Sequence, residues 1–245
     1  MEPMNDQAER LANPFRAGAS ATTPTDERVD FELRELSGFE EEFVDRHRDV
    51  ANVARLCNQV LARCLVAPGA DHRQALEWVG SLLVAERDRM LLELRRKSLG
   101  ERVMCEVRCP QCDSLNEVDF ALSAIDADFE VIDAPVEVSL AQGLAAQLRL
   151  PTAADQEALF DEDGVTTEAE QRTWLLSRVL TSLGDEVGPF APDVVRGLSI
   201  RARHALEDAI EEALPDFELA MGVTCVECGC EFSSPFELAS FFLRS

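Results

Sequence analysis

A chain of 245 residues, 46% of them hydrophobic, can bury one or two cores, and its formal charge of −24 excludes the basic surface that nucleic-acid binding needs. No apolar run reaches the roughly 18 residues of a membrane span and no charged, apolar, small-residue leader opens the sequence, so a cytoplasmic protein with no membrane contact is expected. Eight cysteines in that setting point to thiols and metal rather than disulfides.

Residues 1–27 hold Pro3, Pro14, Pro24 and Gly18 with little to pack, which predicts a flexible tail. Phe31, Leu33 and Leu36 then alternate with Glu32, Arg34 and Glu35 as a short strand. Ser37 caps an acidic helix from Gly38, with Glu40, Glu41 and Glu42 at the positive end of its dipole. From Asp49 to Val66 the apolar residues recur at three and four, predicting a helix with Cys57 and Cys64 in its buried stripe. A longer helix is expected from Asp71 to Ser98, stopped by Gly100. Arg87 falls on its apolar stripe, either snorkelling at the core edge or holding a carboxylate of the other half. Val103, Cys105 and Val107 lead as a strand into Cys109-Pro110-Gln111-Cys112, and Val118, Phe120 and Leu122 lead out of it.

Residues 123–135 read as an acidic connector, with Phe129, Val131 and Ile132 available for a strand. From Val136 to Leu150 periodicity does not decide between strand and short helix. Thr152 starts a helix running to Asp161-Glu162-Asp163-Gly164, a solvated turn rather than a calcium loop because the twelve-residue pattern closing on Glu is incomplete. Helices over Thr167–Leu183 and Asp193–Leu214 precede Cys225-Val226-Glu227-Cys228, and the chain ends on Phe232, Phe236, Leu238, Phe241, Phe242 and Leu243. Acidity is concentrated here: residues 123–245 carry 24 acids against 7 bases, while residues 1–122 carry 23 against 16.

A Cys-x-x-Cys turn holds two thiolates on one side of a tight loop, and two such pairs complete the tetrahedral sulfur shell that zinc prefers. Cys109, Cys112, Cys225 and Cys228 are therefore expected to bind one structural Zn2+, with Cys105 and Cys230 near enough to act as alternative ligands. Redox Cys-x-x-Cys motifs open a helix, whereas both of these cap hairpins. Sliding the chain on itself by the 116 residues that separate the motifs also aligns Leu82 with Leu198, Arg87 with Arg203, Val107 with Val223 and Phe120 with Phe236. A shift of 115 lays Leu33–Ser37 on Leu148–Thr152. The expected fold is α+β: two diverged copies of a strand–helices–β-hairpin unit, residues 28–135 and 136–245, joined by the knuckle pair. His47, His72 and His204 lie in helical stretches beside charges, no phosphate loop or Gly-x-Ser-x-Gly is present, and four sulfurs leave zinc no open position, so no enzyme is expected.

The helix with Arg87-Asp88 and Leu91-Leu92-Glu93-Leu94-Arg95, the Gly100 turn, Val107, Cys109-Pro110-Gln111-Cys112 and Val118-Asp119-Phe120 together resemble the T4-type phage baseplate hub assembly chaperone family. Phe31–Leu36 suits that family's start, and the resemblance covers residues 29–122. It implies a part in assembling the central baseplate hub of a contractile phage tail or phage-like injection system, with hub or spike proteins as partners. The chain departs from the family in its tail, its acidity and its second Cys-x-x-Cys half. A zinc-ribbon adaptor in transcription is the alternative; the acids Glu101, Glu106, Glu117, Asp119, Glu227 and Glu231 around the knuckles, against Arg102 and Arg108, oppose it. Phe241 and Phe242 lie beyond the repeated unit and are expected to dock a baseplate partner.

Overall fold

The computed structural model describes residues 30–47, 52–124, 135–162, 165, 167–214 and 220–235. The first half runs β1 (Glu32–Leu33), α1 (Gly38–Arg46), α2 (Val53–Cys64), β2 (Leu65–Val66), α3 (His72–Ser81), α4 (Val84–Leu99) and a hairpin of β3 (Arg102–Arg108) and β4 (Leu115–Ala121). The second half runs β5 (Val136–Ser139), β6 (Ala145–Leu148), α5 (Ala153–Asp161), α6 (Glu168–Val179), β7 (Leu180–Leu183), β8 (Glu186–Val187), α7 (Pro192–Gly197), α8 (Ile200–Ala213) and a hairpin of β9 (Ala220–Thr224) and β10 (Glu231–Pro235). Among the described residues all pairings are antiparallel: β1 with β2, β3 with β4, β9 with β10, and a four-stranded sheet β5-β6-β7-β8. Helices packed with small antiparallel sheets, rather than crossing between parallel strands, make an α+β fold. Among the described residues no helix is long and apolar enough to cross a membrane.

The helix starts follow from capping chemistry. Ser37 Oγ and N both donate to the Glu40 carboxylate, and Thr152 N donates to Asp155 Oδ2 at 3.0 Å, so each first turn satisfies donors that have no partner within the helix. The same two acids make a second contact in each half. Arg34 bonds Glu40 (2.9 Å) and the Arg63 carbonyl (2.7 Å); Arg149 bonds Asp155 (2.9 Å) and the Arg178 carbonyl (3.1 Å). The Arg34 guanidinium pulls the buried Glu40 carboxyl down to about 2. Burial pushes the Cys57 and Cys64 thiols up to about 11 and about 12, so both stay protonated as core residues.

Four helices depart from their expected extents. The stretch Asp49–Val66 ends as a helix at Cys64, because Leu65–Val66 turns extended and pairs with β1. The stretch Asp71–Ser98 is broken at Leu82–Leu83, where the backbone is extended (ψ 146° and 151°). A pairing with the other half makes the break: the Leu82 carbonyl accepts from Ala153 N (2.8 Å) and Leu83 bridges to Thr152. Asp193–Leu214 breaks likewise at Leu198–Ser199, and Ser199 caps α8. The helix from Thr167 stops at Val179 because Leu180–Leu183 joins the sheet between β6 and β8. Val136–Leu150 resolves as strand, 3-10 turn and strand. Phe129, Val131 and Ile132, like Phe236, Leu238, Phe241, Phe242 and Leu243, lie outside the described residues.

One core is built on Val60, Leu61, Val79, Leu91, Leu94 and Leu122, a second on Leu148, Leu176, Leu180, Val195 and Leu206. Val223 and Phe232 of the second hairpin pack into the first core, beside Val103, Val107 and Phe120 of the first hairpin. The two hairpins thus share one hydrophobic seat, and that seat brings their tips together. Arg87 does not snorkel: it is 3% exposed, pairs with Asp88 of its own half and donates to Asn58 Oδ1 (3.2 Å). Arg203 donates to Thr173 Oγ1 at 2.9 Å in the matching place.

Candidate metal centre

Each hairpin tip is folded by the same two backbone bonds. In the first, Cys109 N donates to Ser114 O (2.9 Å) and Asp113 N to Cys109 O (2.9 Å). In the second, Cys225 N donates to Cys230 O (2.9 Å) and Gly229 N to Cys225 O (3.0 Å). The residue after each second cysteine is left-handed, Asp113 at φ 59° and Gly229 at φ 72°, which turns both sulfurs to one side. Glycine takes that conformation without strain, and aspartate is among the few other residues that tolerate it.

The four sulfurs of Cys109, Cys112, Cys225 and Cys228 all lie within 4.8 Å of one another. Cys109 Sγ is 3.6 Å from Cys228 Sγ, and Cys112 Sγ is 3.6 Å from Cys225 Sγ. The first thiol of each motif thus faces the second thiol of the other. A disulfide needs about 2.05 Å, whereas a tetrahedron with metal–sulfur bonds of about 2.3 Å has edges close to 3.8 Å. The set is therefore close enough to bind one metal ion. Cys109 and Cys225 are buried at its base, and Cys112 and Cys228 are exposed at its rim.

Hydrogen bonds tune the cluster. The Ser114 hydroxyl lies 3.1 Å from both Cys112 Sγ and Cys225 Sγ. That contact, with backbone N–H groups of the second turn, pulls the Cys225 thiol down to about 5. Cys228 is pushed up to about 12, a backbone bond at Cys230 being outweighed by desolvation and the neighbouring sulfurs. Thiols this close oppose one another's ionisation, and a divalent cation is what makes four thiolates compatible.

All four expected ligands come together, with Cys105 apart from them and Cys230 beside them, where burial and the neighbouring Cys109 push its thiol up. Cys105 packs against the first core, and among the described residues Cys230 is not one of the clustered ligands; its sulfur donates to the Glu231 carbonyl. Two residues absent from the sequence reading complete the site. Asn116, 2% exposed, accepts from Val226 N (2.9 Å) and donates to Ser114 O (3.1 Å), tying the second turn to β4 of the first hairpin. Its signal was a polar residue on the inward phase of Val118, Phe120 and Leu122; Ser114 left none beyond its nearness to Cys112.

Fold and site define an α+β protein in which two distant hairpins meet at a closed set of four thiols. A family model described as T4 bacteriophage base plate protein matches residues 33–243, and the chain belongs to that family. The match extends through the second half, beyond the residues 29–122 that carry the resemblance. No curated protein and no solved structure matches the chain.

Proposed function

We propose that this chain is a non-enzymatic assembly factor of the chaperone kind, or a minor structural component, of the baseplate hub in a contractile phage tail or phage-like injection system. The observation that carries the reading is the family match over residues 33–243. Cys109, Cys112, Cys225 and Cys228 hold one structural zinc ion; an all-sulfur donor set in tetrahedral proportion supports this metal, and a closed shell offers no coordination position for catalysis. Residues 28–135 and 136–245 are two diverged copies of one unit. The order strand, two helices, strand, two helices and hairpin, which the second half follows with β5 and β8 added, supports this, as do the matched Arg34–Glu40 and Arg149–Asp155 contacts.

The partners are hub or spike proteins, met in the host cytoplasm where tails are assembled. Phe241 and Phe242 dock them: a density of aromatic residues beyond Leu238, the last position matched in the first half, favours an interface centre. The acidic second half steers the encounter in a salt-dependent way. Co-expression with hub and spike proteins tests this. The double variant Phe241→Ala, Phe242→Ala is expected to keep its metal and its folding transition while losing co-purification. Unfolding or metal loss in that variant would assign the two residues to the core instead.

A further inference from the structure

The hairpin of β3 and β4 spends only half of its backbone groups on its own ladder. Bonds at its two ends, Leu122 N to Glu101 O and Cys109 N to Ser114 O, fix the alternation: Val103, Cys105 and Val107 exchange bonds with Phe120, Val118 and Asn116. The N–H and C=O groups of Arg102, Met104, Glu106 and Arg108 therefore turn outward along the free edge of β3, and those of Leu115, Glu117, Asp119 and Ala121 along the free edge of β4. Among the described residues neither strand has a second partner. The same four residues of β3 present their side chains to solvent: Met104 is 76% exposed, the Arg102 and Arg108 side chains 76% and 62%, and Glu106 is exposed between them. An unpaired edge with an open apolar residue near its middle is a template for another strand.

Charge selects the edge, the partner and the register. When β3 of a second copy lies antiparallel on the first with Met104 opposite Met104, Arg102 of each chain falls opposite Glu106 of the other. A register slipped by two residues sets Arg102 opposite Arg108, and the middle of β4 laid on itself sets Glu117 opposite Glu117 or Asp119. Like charges directly opposite one another repel, so both alternatives are disfavoured. The hairpin itself stands Glu106 opposite Glu117, while Arg108 is turned to Asp113 (3.6 Å). An arginine arriving from a second copy offsets that repulsion. Arg95 bounds the pairing: its Nη1 donates to Gly100 O (3.0 Å) and its Nη2 to Arg102 O (3.2 Å), which covers the edge before residue 102. A carbonyl accepts two bonds, so Arg102 O still serves an incoming strand.

We infer that two copies of this chain associate about a two-fold axis at Met104, β3 against β3, so that their hairpins form one four-stranded antiparallel sheet in the order β4-β3-β3-β4. The same patch meets itself, so the association is isologous and closes at two chains. It stands on the edge geometry and charge pattern of one hairpin and does not rest on the metal or on the baseplate role.

The test is sedimentation velocity of the full chain from about 1 to about 300 µM, the range expected of one small edge-to-edge interface. The wild-type mass should rise with concentration from monomer towards dimer and no further. Met104→Pro should abolish association with an unchanged circular dichroism spectrum, because it removes an N–H at the two-fold axis that takes no part in the β3–β4 ladder. Arg102→Glu and Glu106→Arg should each weaken self-association about tenfold or more, and an equimolar mixture of the two variants should recover it, since both interfacial pairs then join opposite signs. The mixture decides the matter even where the proline variant unfolds. A wild type that stays monomeric to about 300 µM, growth past a dimer, or a mixture no better than either variant alone would overturn the inference and leave the β3 edge to some other protein.

Discussion

Asn116 joins the two hairpins through hydrogen bonds rather than sulfur, and its burial makes that bond consequential. Replacing it by Ala leaves the Val226 N–H without its acceptor and frees the second turn to rotate its thiols. Partners that orient metal ligands typically carry about 10- to 100-fold in affinity. Asn116→Ala should therefore lose zinc to a competing chelator at a free-zinc level about that much higher, with its helix content unchanged; equal zinc affinity would make Asn116 merely a core polar residue. The four ligands were legible because Cys-x-x-Cys announces its own chemistry. Asn116 was not, because a lone inward polar residue on a strand says that something must bond it without saying what.

Among the elements, helix starts were the most legible. Ser37, Thr152 and Thr167 each begin a helix where capping chemistry places it. The breaks were hidden, because Leu82–Leu83 and Leu198–Ser199 interrupt the helices for two residues without disturbing the apolar spacing. At Leu82–Leu83 the cause lies about seventy positions away, in the pairing with Thr152 and Ala153. The C-terminal end of α6 and the strand β8 were hidden for a related reason, since sheet partners rather than local propensity fix them. The break in the second half makes a sharp prediction. Ser199 has φ −62° and Leu198 has ψ 147°, both compatible with a proline at 199. Ser199→Pro should change stability by no more than about 1 kcal/mol, the lost cap at Ala202 N being offset by a stiffer unfolded chain. A continuous helix would lose about 3 kcal/mol or more, which a urea titration distinguishes readily.

At the scale of the molecule, the hairpins are braced twice: Val223 and Phe232 sit in the first core, and the cysteines close the tips above it. Closure of a loop of more than a hundred residues is worth on the order of 4–5 kcal/mol on the chain-entropy account. Zinc binding to thiolates that are scattered in the unfolded chain is itself folding free energy. The pairing of the two Cys-x-x-Cys hairpins was legible from the motifs, whereas the way one half lies on the other was not, since Asn52, Arg55 and Asn58 read as ordinary polar helix residues until Glu157 and Asp161 are placed opposite them. The most direct test of the clamp is the metal content of the purified full-length protein, determined by elemental analysis against protein concentration. One equivalent of zinc per chain, lost when Cys225→Ser removes a buried ligand, is the predicted result; less than half an equivalent, or an equivalent that survives Cys225→Ser, would contradict it.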